Sequence, residues 1–490
     1  MLEGIPITKV DDTVWEIPRT YKNGMRVPVR IYAKEELLKS MDRDVFEQAS
    51  NAAMLPGLLR YSYVFSDGHS GYGVPVGWCG AFDLSDGVIS PGAIGFDINC
   101  GMRLIKTNLT LDEVKPKVRE LVDLLFRMVP AGVGATSYQE PKEISQVEES
   151  KFRELVENGA KWAAEKGYAD RKDLERLEEH GSVSTADFSK VSHEAYRRGK
   201  NQIGTLGSGN HYLEIQVIDR VYNQEIAKKW GLAEFENQVC IMVHCGSRGF
   251  GHQICSDYLD SFVRAMKKYN IRVPDNQLAC APFESQEGQD YLKAMSCAIN
   301  FAFVNRQLIV YQIRKAFEQA FKRSWESLGL DIIYDVAHNT AKLEYHVVDG
   351  ERKNVIVHRK GATRSFGPGH PELSEMFRET GQPVIVGGSM ETGSFLCVGT
   401  KKAEVETFGT TLHGSGRTMS RTKAKKMVRG EELQRKMIER GIYVKATTMS
   451  GLAEEAGFAY KSIDEVVDSM HIAGISLKVL RLRPVANIKG

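Results

Sequence analysis

The chain has 490 residues, with 65 Lys and Arg against 63 Asp and Glu, a net charge of +2 and eight cysteines. At 42% hydrophobic and 26% charged residues it has a globular composition, neither disordered nor fibrous. A charge so nearly balanced leaves any nucleic-acid contact to a local basic surface, and no apolar run approaches the ~18 residues of a membrane span. The first residues, MLEGIPITKVDDTVW, lack the apolar stretch of a signal peptide. The cysteines are scattered without a CxxC pair, so neither a disulfide framework nor a structural zinc site is expected. A reducing cytoplasm follows, in which a thiolate is free to bind metal.

Residues 1–34 alternate short apolar runs with turns, and Arg26 to Tyr32 reads as a strand. Residues 35–60 carry apolar positions at helical spacing. From Ser66 to Met102 glycines crowd the chain and few windows suit a helix. Asp67 to Pro75 looks like a functional loop, although a polar residue beside glycine, as Asp67 and His69 are, ordinarily marks a turn. Residues 110–200 turn amphipathic and charged, a helical excursion from the core.

From Gly204 onward, short β-like runs end in polar loops. Asn210 and His211 precede one such run, and His244 ends another. Residues 285–325 suggest a single long helix. Ile332 to Ala337 then runs into His338 and Asn339, and Pro383 to Val386 empties into Gly387 to Ser394. A third loop, His413-Gly-Ser-Gly-Arg417, leads to a basic helix from Arg421. Two helices in 430–475 and a closing strand from Leu477 to Ala486 complete the chain. With no internal repeat and no linker, the expectation is one large α+β domain, residues 1–490. Its β-sheets would surround a central metal cleft, with helices at the periphery.

Gly95-Phe-Asp97-Ile-Asn-Cys100-Gly101 holds a carboxylate and a thiol three residues apart on a glycine-bracketed bend. Alone, this pair suits either two metal ligands or a buried Cys beside a turn Asp. His211, His244 and His338 each stand where an apolar run meets a polar loop, and strand ends bring such groups to one cleft. Imidazole, thiolate and carboxylate together suit a mid-series divalent ion better than magnesium or closed structural zinc. A thiolate can bridge two ions, and two ions ~3.5–4 Å apart are a standard arrangement for displacement at phosphorus.

The loop His413 to Arg417 lets backbone amides approach an anion, gives Arg417 a phosphate to fork onto, and offers His413 as a nucleophile. An ordinary tight turn fits the same residues. Gly387 to Ser394 offers free amides and two hydroxyls to phosphate or ribose, or is a simple loop. There is no P-loop, no full dinucleotide fingerprint and no Lys-x-Asp-Gly. The densest basic clusters, His358 to Arg364 and the run Arg417, Arg421, Lys423, Lys425, Lys426, Arg429, are the candidates for RNA phosphates. These residues define a metal-dependent enzyme of phosphate chemistry.

Six blocks taken in order resemble the RtcB-type RNA-splicing ligases over essentially the whole chain. They are Asp97 to Arg103, Gly204 to His211, His244 to Gly249, Ala337 to Asn339, His358 to Arg364 and His413 to Arg417. One departure is Ser415, where that family usually has Ala. The resemblance implies a GTP- and Mn2+-dependent ligase joining RNA 2′,3′-cyclic phosphate or 3′-phosphate ends to 5′-hydroxyl ends in tRNA splicing and RNA repair. His413 would take GMP from GTP and pass it to the RNA 3′-phosphate. One Mn2+ would bind Asp97, Cys100 and His211, and a second Cys100, His244 and His338. Asn210, Glu214, Asn339, Ser389, Ser394, Tyr460 and Lys489 would form the guanylate pocket, with Gly414, Ser415, Gly416 and Arg417 at the phosphate. Archease activates some members of that family. The alternative is a metal-dependent RNA phosphodiesterase that never uses GTP.

Overall fold

The computed structural model describes residues 4–136 and 147–490. Residues 1–3 of the N-terminal stretch and 137–146 of the helical excursion lie outside the described residues. Two large sheets carry the fold. In the first, the strands run in the spatial order Thr8–Asp11, Val14–Ile17, Val29–Tyr32, Ser62–His69, Val76–Asp83, Glu351–Lys360, Asn339–Val348. Its strand pairs are antiparallel apart from Val29–Tyr32 with Ser62–His69. The second runs Ile332–Ala337, Gly101–Thr110, Gln238–Cys245, Tyr212–Val221, Ser476–Lys489, Ser394–Gly399, Pro383–Val386, with Tyr443–Ala446 added parallel to the last residues of Ser476–Lys489. The expected α+β class is what the chain forms.

Gln238–Cys245 lies in the middle of the second sheet and is buried at every position. A strand covered on both faces needs the unbroken apolar run that Val-Cys-Ile-Met-Val supplies. The helix Gln286–Phe321 is buried nearly all round for the same reason, since helices of residues 118–128, 149–165 and 248–268 pack on it. Ser285 caps its start by accepting a hydrogen bond from the Gly288 amide. Phe152, Leu155 and Trp162 of the helical excursion join the same apolar cluster as Val64 and Val355 of the first sheet and Ile241 and Ile488 of the second. The excursion is therefore part of the core.

Three local expectations change. Residues 35–60 form two short helices, Glu35–Ser40 and Arg43–Ala52, followed by turns. Residues 430–475 hold three helices, Gly430–Glu439, Met449–Glu454 and Ile463–Ile472, with the strand Tyr443–Ala446 between the first two. Asp67 and His69 are in the strand Ser62–His69 rather than in a loop. None of the described helices is long and apolar enough to cross a membrane.

The sheets meet where the chemistry is. His338 is the single residue between Ile332–Ala337 of the second sheet and Asn339–Val348 of the first. In the second sheet Ala337 pairs with Gly101, Gly101 with Cys245, Met102 with His244, and His244 with Tyr212. That register brings Cys100, His211, His244 and His338 to one end of four strands.

Candidate active site

Asp97, Cys100 and His211 form a donor group in which one ligand atom from each lies within 4.8 Å of the others. The bend that carries the first two depends on Asn99 in the left-handed region (φ 52°), which Asn tolerates better than most residues. The His211 Nε2 stands 2.8 Å from Asp97 Oδ2 and 3.6 Å from Cys100 Sγ, and the His244 Nε2 is 3.2 Å from the same sulfur. The His338 ring centroid lies 5.7 Å from that of His244. Each imidazole is oriented through its other nitrogen: His211 Nδ1 meets the Leu206 carbonyl at 3.0 Å, His244 Nδ1 the Asn210 carbonyl at 3.0 Å, and His338 Nδ1 the Thr363 hydroxyl at 3.0 Å. Such contacts on one ring nitrogen leave the other to a metal.

The donor set fits a divalent cation. The His338 Nε2 is buried and has no hydrogen-bond partner. Burial, reinforced by neighbouring histidines, holds His244 and His338 well below the ordinary imidazole value, so both keep a lone pair. Burial, then the Asp97 charge, pushes the Cys100 thiol up to about 12. Burial would also raise Asp97, but the His211 charge and hydrogen bond outweigh it and hold the carboxyl at about 2. A cation held here by Asp97, Cys100 and His211 would take the place of the proton that Asp97 and His211 share and would favour the thiolate.

His413 follows the strand Thr410–Leu412, which pairs with Ala362–Arg364, the strand whose Thr363 orients His338. The His413 and His338 ring centroids are 5.2 Å apart. The His413 Nδ1 is 2.5 Å from Asp67 Oδ2, and the same oxygen accepts from the backbone N–H of His413 at 3.1 Å and of Gly414 at 3.4 Å. Asp67 is fully buried. Burial would raise its carboxyl, yet the charge and hydrogen bonds of His413 hold it below the ordinary value. The His413 Nε2 is thus the nitrogen left for chemistry. Gly416 permits the approach: its φ is +70°, and a Cβ there would stand 2.1 Å from the Asp67 carbonyl oxygen.

A cavity of about 240 Å³ joins these parts. Of the residues expected around a nucleotide, Asn210, Asn339, Ser389, Tyr460, Lys489 and the loop Gly414 to Arg417 line it. Glu214 and Ser394 do not; they lie behind its wall, bridged by Gln216, whose Nε2 donates to Glu214 Oε2 at 2.6 Å and to Ser394 Oγ at 3.1 Å. Burial pushes Glu214 up to about 7. Lys489 belongs to the closing strand and is itself buried, donating to the Gly209 carbonyl at 3.1 Å. The Ser415 Oγ is buried without a partner.

Four residues in or beside the cavity escaped sequence reasoning or were passed over. Asp67 read as a turn residue. Glu455, fully buried, binds the Tyr460 hydroxyl and faces Arg421 at 3.0 Å, Arg417 at 3.4 Å and Lys489 at 3.9 Å. The Lys461 Nζ donates to the Gly68 carbonyl at 2.5 Å and to that of Ser66 at 3.2 Å. Gln216 is the fourth. Only the Glu-Glu-Ala-Gly run at 454–457 hinted at a break there. The basic clusters divide. His358, Arg359, Lys360 and Arg364 are buried, Arg359 forking onto Glu344 at 2.6 and 2.8 Å, so that cluster is no RNA-facing surface. Of that cluster, Lys360 and Gly361 line the cavity. The helix Arg421–Met427 and Arg429 do present Lys423, Lys425 and Lys426 to solvent.

Fold and site define an α+β protein with a buried Asp–Cys–His group suited to a metal ion, beside a histidine oriented by a carboxylate. Residues 48–490 match the family described as tRNA-splicing ligase RtcB. Proteins named tRNA-splicing ligase RtcB from Thermococcus kodakarensis and Archaeoglobus fulgidus are 50% and 48% identical to the chain, each over the full length of both sequences. One of that name from Methanococcus maripaludis is 50% identical over 99% of each. The chain belongs to the RtcB family.

Proposed function

We propose that the chain is a GTP- and Mn2+-dependent RNA ligase, acting as one catalytic unit in the cytoplasm on tRNA exon halves or broken RNA. The observation that carries this is the His413–Asp67 pair set beside His338 in one cavity: a nucleophile with a fixed free nitrogen next to a metal donor set. Asp97, Cys100 and His211 would hold one Mn2+, and Cys100, His244 and His338 the other. When bound, the ions supply charge neutralisation and polarise phosphoryl oxygens.

The chain's own groups account for the steps. The His413 Nε2 attacks the α-phosphorus of GTP; an N–P bond forms, the bond to the bridging oxygen breaks, and pyrophosphate leaves. Asp67 keeps the proton on Nδ1 and offsets the positive charge that develops on the ring. An oxygen of the RNA 3′-phosphate then attacks that phosphorus, the N–P bond breaks, and His413 is regenerated. A bare 3′-phosphate has no good leaving group, and the new diphosphate linkage provides one. The 5′-hydroxyl attacks the RNA phosphorus, its proton passes to water, the P–O bond to GMP breaks, and GMP leaves. A 2′,3′-cyclic phosphate is first opened by water, which adds to phosphorus as the P–O2′ bond breaks and a proton goes to the 2′-oxygen, leaving a 3′-phosphate. Arg417 and Lys360 line the cavity and suit the phosphates. Glu214, behind the wall and bonded to Gln216 and Asn487, suits the guanine N–H edge once the base takes the place of one of those amide donors. The exposed lysines of residues 421–427 suit the RNA backbone.

The test is ligation of an RNA with a 2′,3′-cyclic phosphate end to a 5′-hydroxyl RNA, with GTP and Mn2+. Wild type joins them, and His413→Ala binds Mn2+ but does not. A His413→Ala protein that still processes the cyclic end without GTP favours the phosphodiesterase alternative.

A further inference from the structure

Arg306 lies on the long helix Gln286–Phe321, away from the donor cluster in sequence and fully buried. Its guanidinium reaches three of the segments that carry the expected ligands. Nη1 donates to the Asn99 carbonyl at 2.8 Å and to the Cys245 carbonyl at 2.8 Å. Nη2 donates to Asn99 Oδ1 at 3.2 Å and to Asp335 Oδ1 at 2.8 Å, and Nε to Asp335 Oδ2 at 2.7 Å. Asn99 precedes Cys100, Cys245 follows His244, and Asp335 is three residues before His338. Neighbouring backbone bonds close the frame, from His338 N–H to the Cys100 carbonyl and from Asn99 N–H to the Asn339 carbonyl, both at 2.7 Å.

Room for the guanidinium depends on Gly101. A Cβ there would lie 3.1 Å from Arg306 Cζ and 2.2 Å from the Val336 carbonyl oxygen. Helix–strand packing alone does not call for a charged fork with this set of acceptors. Arg103 shares Asp335 at 2.7 Å and turns its Nη1 to Gln307 at 2.6 Å, so of the two arginines on that carboxylate only Arg306 reaches the Asn99 and Cys245 carbonyls.

We infer that Arg306 is a positioning residue for the metal centre: its fork sets the spacing of the Cys100, His244 and His338 segments and so the geometry of sulfur and imidazole ligation. The inference rests on the metal-site reading given above. Lysine retains the charge but, as a single point donor, cannot span carbonyls on two turns and both carboxylate oxygens.

The test compares Arg306→Lys with Arg314→Lys. Arg314 is on the same helix, is also buried, forks onto Asp173 at 2.7 and 2.8 Å, and gives its remaining hydrogen bonds to the Leu330 carbonyl. Each full-length protein is titrated with Co2+ alone, following the sulfur-to-cobalt absorption band, and its melting temperature is measured without metal. Arg306→Lys is expected to bind Co2+ at least ~10-fold more weakly, with a weakened sulfur band, as loss of a ligand-orienting contact does. Arg314→Lys is expected to lower the melting temperature but to keep wild-type affinity and spectrum. Equal cobalt behaviour of Arg306→Lys and wild type, or an equal loss in Arg314→Lys, overturns the inference. Should Arg306→Lys not fold, Asn99→Gly keeps the left-handed backbone and deletes one acceptor; an unchanged sulfur band in it overturns the inference too. A wild-type protein with no sulfur band would instead overturn the metal-site reading.

Discussion

Asp67→Asn isolates the charge behind His413. In the native protein one carboxylate oxygen, fully buried, stands 2.5 Å from the ring nitrogen and also holds the backbone N–H groups of His413 and Gly414. At an effective dielectric of ~20 a unit charge at that distance is worth ~7 kcal/mol to the positive charge that grows on the ring during attack. An asparagine oxygen still accepts a hydrogen bond, so part is recovered, leaving a loss of ~3–5 kcal/mol in the transition state. That corresponds to a ~10²–10⁴-fold slower transfer of GMP to the protein. Single-turnover quench measurements with α-labelled GTP would read it as acid-labile label on protein. Mn2+ content should be unchanged, since Asp67 belongs to no ligand-bearing segment. A rate within about threefold of wild type, in a protein that melts normally, would refute the role given to Asp67.

Three further expectations concern single groups. Cys100→Ala should cost the metal-free protein at most ~1–2 kcal/mol, because one sulfur is removed from a buried turn, yet sharply lower the bound Mn2+ measured by elemental analysis; unchanged stoichiometry contradicts a bridging thiolate. Burial holds Glu214 near pH 7, and only its ionised form is purely an acceptor for guanine N–H groups, so GTP affinity, measured in His413→Ala protein, should rise up to ~10-fold as pH climbs from 6 to 7.5. Glu214→Gln should remove that slope, and a flat wild-type profile contradicts the assignment. Ser415→Ala deletes a buried hydroxyl that has no partner and should stabilise the ligand-free protein by ~0.5–1.5 kcal/mol, read as a higher melting temperature; a lower one would show that the hydroxyl is satisfied.

The sequence located the Asp97–Cys100 bend and the histidine turns well, because glycines and polar residues at the ends of apolar runs are local signals. Asp97, Cys100, His211, His244 and His338 sit at one end of the second sheet, as strand-end placement suggested, and His413 faces them. The closing strand was equally plain, although Lys489 at its end gave no sign of burial. What stayed hidden depends on tertiary pairing. Asp67 meets His413 across 346 residues, and nothing near Gly68 distinguishes a buried strand carboxylate from a turn. Arg306 and Glu455 find their partners on distant elements, Arg306 at Asp335 and Glu455 at Arg421 and Lys489. The strand Asn339–Val348 even inverts the usual alternation: Lys342, Glu344 and His346 point inward, Lys342 pairing with Glu178 and Glu344 with both Arg359 and His346, while Leu343, Tyr345 and Val347 are exposed. Periodicity alone would assign the faces of that strand the wrong way round. The buried cluster His358 to Arg364 fails for the same reason, since Arg359 and Arg364 answer Glu344 and Glu372 and Lys360 donates to backbone carbonyls.

The most direct test of the central claim is mass spectrometry of the intact protein after incubation with GTP and Mn2+, beside His413→Ala. A single acid-labile GMP adduct that maps to His413 and is absent from the variant is the predicted result. No adduct in folded, metal-bound wild-type protein, or an adduct that persists in His413→Ala, would contradict the guanylylated-histidine mechanism.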